Sequence, residues 1–165
     1  MHLHINVKLD AIALICYQTA MKPEPDKKTI SAWARLMKAQ QKALDFIESR
    51  LRDAKLPPLS WYDVLLELER PPDGRLRPFE LERQMLLAQY NLSRLIDRIE
   101  NAGYVERQPC QDDARGQTIV ITQSGKKLRR RMWPVYAQAI QVAVGDRLTK
   151  SEIEMLEQVL KKLAD

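Results

Sequence analysis

Residues 92–122 read LSRLIDRIENAGYVERQPCQDDARGQTIVIT, and this stretch decides the fold. Its beginning places apolar side chains at three- and four-residue steps, which is typical of an amphipathic helix. Gly103 then predicts the C-cap of that helix. Two β-capable runs follow, residues 104–110 and 117–121, with a polar turn containing Gly116 between them. The stretch therefore predicts a helix that leads directly into a two-stranded hairpin with a charged tip.

A second short helix is predicted just before this one. Pro78 favours a helix start at its first turn, so residues 79–85 form a short helix, and a tight connection at 86–88 leads into a helix over 89–101. Two short helices joined so closely form a helix-turn-helix, and the hairpin beside them is a wing. Residues 75–77 are just long enough for an edge strand.

Longer helices are predicted on both sides of this lobe. Apolar residues recur at helical spacing over residues 31–54, and the next helix opens at 59–64 with Ser60 as its N-cap. A long helical stretch follows Thr122, and a last helix restarts near Thr149. The expected fold class is mainly α with a small β-hairpin wing, a winged helix-turn-helix with N- and C-terminal dimerisation helices.

The domain organisation follows from composition. Prolines and charges in residues 21–28 are typical of a linker, so we expect an N-terminal extension over 1–28 and a folded domain over 29–165. Within that domain we expect the winged lobe at 57–122 and the dimerisation helices at 29–56 and 123–165. A single lobe could not cover the apolar stripes of those helices, which predicts a homodimer.

Positive charge is concentrated in one segment. Between Arg75 and Arg131 there are 12 Lys and Arg against 7 Asp and Glu, a surplus of 5 that equals the net charge of +5 for the whole chain. A localised positive surface is what phosphate binding requires, because the release of condensed counterions drives association with nucleic acid. We therefore expect double-stranded DNA as a partner.

The helix over residues 89–101 is predicted to read DNA sequence. Its apolar side chains face inward, and the opposite face carries hydrogen-bonding groups. In a helix-turn-helix the second helix enters the major groove with its N-terminal residues nearest the bases. Arg94 is the candidate for a guanine, and Arg98 for a phosphate. The candidate DNA-binding residues of this helix are Gln89, Tyr90, Asn91, Ser93, Arg94 and Arg98.

The wing supplies two further candidates, Asp113 and Arg115. An arginine at the tip of a ribbon beside a recognition helix can reach into the adjacent minor groove. The role expected of Asp113 is to orient the Arg115 guanidinium through a charge-assisted hydrogen bond. An ordinary polar hairpin turn is the structural alternative.

Residues 81–87, 92–107, 112–116 and 121–122 together resemble the MarR family of transcriptional regulators. The resemblance implies a dimer with two winged lobes on a pseudo-palindromic operator, acting as a repressor released by a small, often aromatic, ligand. Two positions depart from the family. Ala88 stands where a capping serine is frequent, which predicts a recognition helix less stable by about 1 kcal/mol. Glu82 replaces a small residue and is expected to point outward.

Four residues are candidates for an effector pocket, Trp33, Met37, Trp61 and Tyr62. They lie where the family binds small molecules, between the dimer helices and the winged lobe. An aromatic and methionine stripe at helical spacing is more often part of a core or a dimer seam than of a ligand pocket. The sequence leaves both interpretations open.

Other function classes are weaker. The chain contains no HExxH, GxSxG, P-loop or dinucleotide-binding motif, so we expect no enzyme, cofactor or metal. Cys16 and Cys110 lie away from the position of the family's peroxide-sensing cysteine, near Ala34, although a thiol-based sensor stays an alternative. A winged helix used only for protein contact is another. With no signal peptide and no apolar stretch long enough to span a bilayer, a cytoplasmic protein is expected.

Overall fold

The computed structural model describes residues 24–85, 91–110 and 116–164. Its helices and strands are α1 Lys27–Asp53, α2 Leu59–Glu69, β1 Arg75–Leu76, α3 Pro78–Gln84, α4 Leu92–Asn101, β2 Val105–Pro109, β3 Gln117–Ile121, α5 Gln123–Ala143, a 3-10 turn Gly145–Arg147 and α6 Lys150–Ala164. The mainly α fold with a small β wing is confirmed.

Residues 24–39 contain the first turns of α1, which begins at Lys27. Asp26 precedes this helix, and its Oδ1 accepts a hydrogen bond from the Thr29 backbone N–H at 2.6 Å. That bond holds the pKa of the Asp26 carboxyl below its usual value. Because this cap lies before Lys27, the helix begins four residues earlier than the predicted Ser31, and residues 27–28 belong to the helix, which corrects their assignment to the linker.

Residues 40–164 contain a three-stranded antiparallel sheet of order β1-β3-β2. β2 and β3 form the predicted hairpin, with Val105 opposite Ile121 and Pro109 opposite Gln117. β1 pairs only with β3 and is the edge strand that the sequence predicts. Immediately after it, the Glu80 carboxylate accepts a hydrogen bond from the Arg77 backbone N–H at 2.8 Å and so fixes the start of α3.

The core is built around α2. Leucine and valine side chains on several of its faces are inaccessible to solvent, because α3, β1, β3 and α5 all pack against this helix. A helix that is apolar nearly all round is expected to be buried on most sides. The core residues of α2 are Leu59, Tyr62, Val64, Leu65 and Leu68.

The N-terminus of α2 differs from the prediction. Ser60 does not cap it, because Ser60 already lies inside the helix, which begins at Leu59 after Pro58. The Leu59 backbone N–H instead donates to the Glu48 carboxylate of α1 at 3.0 Å. A side chain from the preceding helix thus satisfies one of the orphan donors that every helix start leaves.

α5 begins at a tight junction with the wing. The Thr122 hydroxyl accepts a hydrogen bond from the Gly125 backbone N–H at 3.0 Å and donates one to the Gly103 carbonyl at 2.9 Å. The Thr122 backbone N–H donates to the Tyr104 carbonyl at 3.1 Å. An ideal Cβ placed on Gly125 would lie only 2.2 Å from that same carbonyl oxygen, so the junction has no room for a side chain.

α6 is amphipathic and wholly exposed over its described residues. Thr149 precedes it as predicted, and its backbone N–H donates to the Glu152 carboxylate at 2.8 Å. In the described part of the chain, no helix combines the length and apolarity needed to cross a membrane.

The junction leads to a stability prediction. Gly125→Ala should destabilise the protein by about 1–3 kcal/mol, because the added methyl group forces the Tyr104 backbone apart from α5. Urea unfolding measures the effect. Ser124→Ala in the same turn is the matched control, since Ser124 is exposed and should change the free energy of unfolding by less than about 0.5 kcal/mol. Equal stability of the two variants would contradict the close contact.

Candidate nucleic-acid interface

α3 and α4 form the helix-turn-helix, and one face of α4 holds it in the core. Leu95, Ile96 and Ile99 are at most 1% exposed, whereas the residues between them face solvent. At the other end Gly103 has a φ of 78°, and the Tyr104 backbone N–H donates to the Ile99 carbonyl at 3.1 Å. This left-handed cap confirms the predicted helix end.

The N-terminus of α4 corrects two expectations. The helix begins at Leu92 rather than Gln89, and Asn91 is its N-cap, with Oδ1 accepting a hydrogen bond from the Arg94 backbone N–H at 3.0 Å. The expectation of an uncapped recognition helix is therefore wrong, because Asn91 supplies the acceptor that Ala88 lacks. Because the cap uses Oδ1, the side-chain amide nitrogen of Asn91 is the group that can donate to an outside partner.

The exposed face of α4 carries two arginines. Ser93, Arg94 and Arg98 are all exposed. Within the described residues, neither guanidinium forms an ion pair or a side-chain hydrogen bond. Both cations are thus available to a partner without the breaking of an internal contact.

The carboxylates of α4, in contrast, are held by the wing. Arg107 of β2 forms ion pairs with both Asp97 and Glu100, and its Nη2 lies 2.5 Å from Asp97 Oδ1. The Arg107 backbone N–H also donates to Glu100 Oε1 at 2.8 Å. One arginine therefore neutralises two acids of the recognition helix and fixes the helix against the sheet.

Four predicted DNA-binding residues, Gln89, Tyr90, Asp113 and Arg115, lie outside the described residues. The base of the hairpin is described up to Cys110, whose backbone N–H donates to the Gly116 carbonyl at 2.9 Å. The Cys110 sulfur accepts a hydrogen bond from Arg77 Nη2 at 2.9 Å, which links the wing to the start of α3. Cys16 also lies outside the described residues.

Tyr62, one of the predicted pocket residues, lines a cavity. This cavity of about 180 Å³ lies between α2, the end of α3 and α5, and its walls include Asp63, Glu67, Gln84 and Tyr136. Trp61 instead packs edge-on against Tyr104, with ring centroids 5.8 Å apart.

The other two predicted pocket residues lie in the first part of the chain. Trp33 and Met37 are 64% and 39% exposed there. Their place in an effector pocket stays a prediction.

Sequence reasoning missed three features of this region. The pattern places Arg107 on the wing strand and does not reveal its ion pairs. The available signal is that two acids, Asp97 and Glu100, lie within the ten residues before it. The capping role of Asn91 was overlooked because the residue was assigned to base reading. The burial of Asp63 and Glu67 had one signal, their i, i+4 spacing on a helix that is otherwise rich in leucine.

The fold and the exposed helix define a winged helix-turn-helix protein. Comparison with known proteins shows which family of these proteins it resembles. A sequence model of the MarR family matches residues 55–116. The HTH-type transcriptional regulator PapX of Escherichia coli is 31% identical over 105 residues, which are 63% of each protein. The multiple antibiotic resistance protein MarR of Escherichia coli K12 is 30% identical over 88 residues, 53% of this chain and 61% of MarR.

A solved structure extends the likeness beyond this region. The crystal structure of Sco3205, a MarR family transcriptional regulator from Streptomyces coelicolor in complex with DNA, has a TM-score of 0.78 at 28% identity and covers 88% of this chain and 91% of its own. The chain is thus similar to MarR family regulators in sequence around its winged lobe and in fold over most of its length. The matched region spans 63% of the length of PapX and 61% of the length of MarR, less than two thirds of either protein. PapX and Sco3205 are named as regulators of transcription, in agreement with the prediction that the chain is not an enzyme.

The Arg107 contacts lead to a second prediction. Arg107→Ala should lower the free energy of unfolding by about 1–2 kcal/mol, because the partly buried Glu100 and the exposed Asp97 both lose their partner. Arg98→Ala, on α4, is the control and should leave stability unchanged, since Arg98 forms no ion pair within the described residues. Urea unfolding of both variants tests this difference. If Arg107→Ala is as stable as the parent protein, the wing does not hold α4.

Proposed function

We propose that the chain is a sequence-specific regulator of transcription that binds double-stranded DNA as a homodimer, represses its target genes in the cytoplasm and is released by a small ligand. α4 is the recognition helix and enters the major groove. The β2–β3 hairpin is the wing. A pseudo-palindromic operator matches the two-fold symmetry of the dimer.

One observation carries this proposal, the separation of charges on α4. Arg94 and Arg98 are exposed and unpaired in the described structure, while the acids of the same helix are engaged by Arg107. The exposed face is therefore cationic although the helix also carries acids. A phosphate backbone attracts such a face, and bidentate arginines read guanine in the major groove.

The comparison with Sco3205 supports the same proposal, because that protein was crystallised in complex with DNA and shares the fold over most of both chains. A winged helix used only for protein contact would have no need for unpaired arginines on the helix that faces outward. Steep salt dependence of duplex binding distinguishes the two functions.

The individual residues have different proposed roles. Arg94 lies in the first turn of α4, where it reads a base edge together with Gln89, Tyr90, Asn91 and Ser93. Arg98 lies one turn later and binds phosphate. Asp113 orients Arg115, which enters the minor groove beside the recognition helix.

Selection of bound sequences from a random pool of DNA duplexes is the first experiment, since it gives the operator and the half-site spacing together. Arg94→Ala should then cost about 1–3 kcal/mol on the selected site and relax the choice at one symmetric base position, with a smaller loss on random DNA. Arg115→Ala should weaken binding to both duplexes and reduce the salt slope.

Both variants are measured on the selected and random duplexes across a salt series, and Gln158→Glu, on the polar face of α6, is the control. If Arg94→Ala loses the same free energy on both duplexes, α4 does not read sequence. If Arg115→Ala leaves affinity and slope unchanged, the wing does not contact DNA. Failure of the selection to enrich any sequence would contradict the proposed function itself.

The homodimer is supported by the exposed apolar stripe of α6. Ile153, Leu156, Leu160 and Leu163 follow the three- and four-residue steps of a helix seam, and each is 37–69% exposed. A stripe of this kind on an isolated chain marks a partner surface. A second copy of the chain covers it in the proposed dimer.

Leu156→Glu should therefore convert the dimer into a monomer at micromolar concentration, because a carboxylate would be buried in the apolar seam. Sedimentation velocity measures the change, and circular dichroism checks that helical content is retained. Gln158→Glu adds the same charge to the same helix outside the stripe and should remain dimeric. A monomeric parent protein with intact helices would overturn the proposal.

A further inference from the structure

The side-chain amide of Asn91 has its two ends in different environments at the start of α4. Its Oδ1 accepts a hydrogen bond from the Arg94 backbone N–H at 3.0 Å, and the residue itself is exposed. A backbone N–H needs an acceptor, so the oxygen faces the helix and the amide nitrogen lies on the other side of the group. The cap therefore fixes which end of Asn91 an outside partner meets.

Asn91 lies on the face of α4 that carries the exposed arginines. Asn91, Arg94 and Arg98 follow the steps i, i+3 and i+7, and together with Asp97 they line one open depression in the surface. Asp97, the acid of this set, is paired with Arg107. The Asn91 amide nitrogen and the two guanidiniums have no partner among the described residues, and all three are hydrogen-bond donors. This part of α4 thus offers donors to a partner.

The four bases differ in what they offer to such donors in the major groove. Guanine presents two acceptors side by side, N7 and O6, thymine presents one, O4, and cytosine presents a donor. An asparagine reads adenine by donating to N7 while its oxygen accepts from N6. If Oδ1 of Asn91 turned to a base in this way, the Arg94 N–H would lose its acceptor at the helix start. Guanine is therefore the base that best matches the capped amide.

We propose that Asn91 selects guanine, donating its two amide hydrogens to N7 and O6 while its oxygen caps α4. This inference rests on the proposed function, since it names the base that one residue of the DNA interface selects. Cβ atoms at positions i and i+3 of a helix lie about 5–6 Å apart, and successive base pairs lie about 3.4 Å apart. The guanine of Asn91 is thus expected one or two base pairs from the guanine of Arg94 in each half-site.

Two substitutions keep a capping oxygen and change the group that faces DNA. Asn91→Ser removes the amide nitrogen, and Asn91→Asp replaces the donor by a carboxylate oxygen. Selection of duplexes with the full-length proteins should identify one symmetric guanine of the parental site at which Asn91→Ser loses its preference. Asn91→Asp should prefer cytosine there, because a carboxylate accepts a hydrogen bond from cytosine N4.

The matched control is Asn101→Ser, the same substitution at the exposed far end of α4, which should keep the parental base preferences. Urea unfolding checks that Asn91→Ser and Asn91→Asp are as stable as the parent protein, as expected when serine and aspartate cap as well as asparagine does. A change of base preference in a variant of parental stability separates base reading from damage to the helix.

Modified bases in the selected duplex test the atoms involved. 7-Deazaguanine lacks the N7 acceptor and should lower the affinity of the parent protein by about fivefold or more. Asn91→Ser should bind the guanine and 7-deazaguanine duplexes equally. Hypoxanthine keeps N7 and O6 and lacks only the amino group in the minor groove, so it is the matched control and should bind the parent protein as guanine does.

Three results would overturn this inference alone. Adenine, cytosine or thymine in place of guanine at that position would show that Asn91 does not match its donors to N7 and O6. Unchanged preferences of a folded Asn91→Ser variant would exclude Asn91 from base reading, and equal parental affinity for guanine and 7-deazaguanine would exclude N7 as the acceptor. If the parent protein enriches no sequence at all, the proposed function fails and this inference fails with it.

Discussion

The ion pairs of Arg107 with Asp97 and Glu100 are the interaction on which the rest of the interface depends. They join the strand of the wing to the helix that faces outward, so the two elements form one surface. They also remove two negative charges from the neighbourhood of Arg94 and Arg98. Each carboxylate left free beside these arginines would offset part of their attraction for a phosphate, because unit charges a few ångströms apart interact appreciably even near water. Arg107 thus sets both the orientation of α4 against the wing and the charge of the exposed face of α4.

A second junction connects this surface to the long helix α5. Thr122 and Gly125 bind the start of α5 to the turn that ends α4, through the carbonyls of Gly103 and Tyr104. No side chain fits at Gly125 between them. A displacement of α5 would therefore move the end of the recognition helix, because a close-packed backbone contact transmits motion instead of absorbing it.

Sequence patterns predicted which helices and strands form, but they placed the first residues of several helices wrongly. The amphipathic period of residues 92–101, the Gly103 cap and the hairpin at residues 117–121 are local signals, and each appears in the structure as expected. Helix starts depend on which of several acceptors reaches the free N–H groups. Glu48 lies eleven residues before Leu59 and displaced Ser60 from the predicted role, a choice that only tertiary packing decides. Asn91 was also available as a cap, but its position in the sequence is compatible both with capping the helix and with contacting a base.

The sequence did not predict the two buried carboxylates of α2, Asp63 and Glu67, because burial of a carboxylate is a tertiary property. Glu67 on a surface helix would be unremarkable; within α2 it is desolvated, and the pKa of its carboxyl is raised. A raised pKa means that the folded protein holds this proton more tightly than the unfolded chain does, so the stabilising contribution is largest at low pH and is lost as pH rises through the folded pKa. At neutral pH Glu67 therefore costs stability that a glutamine or an apolar residue would not cost. The ion pair with Arg70, whose Nη1 lies 2.9 Å from Glu67 Oε2, offsets part of that cost.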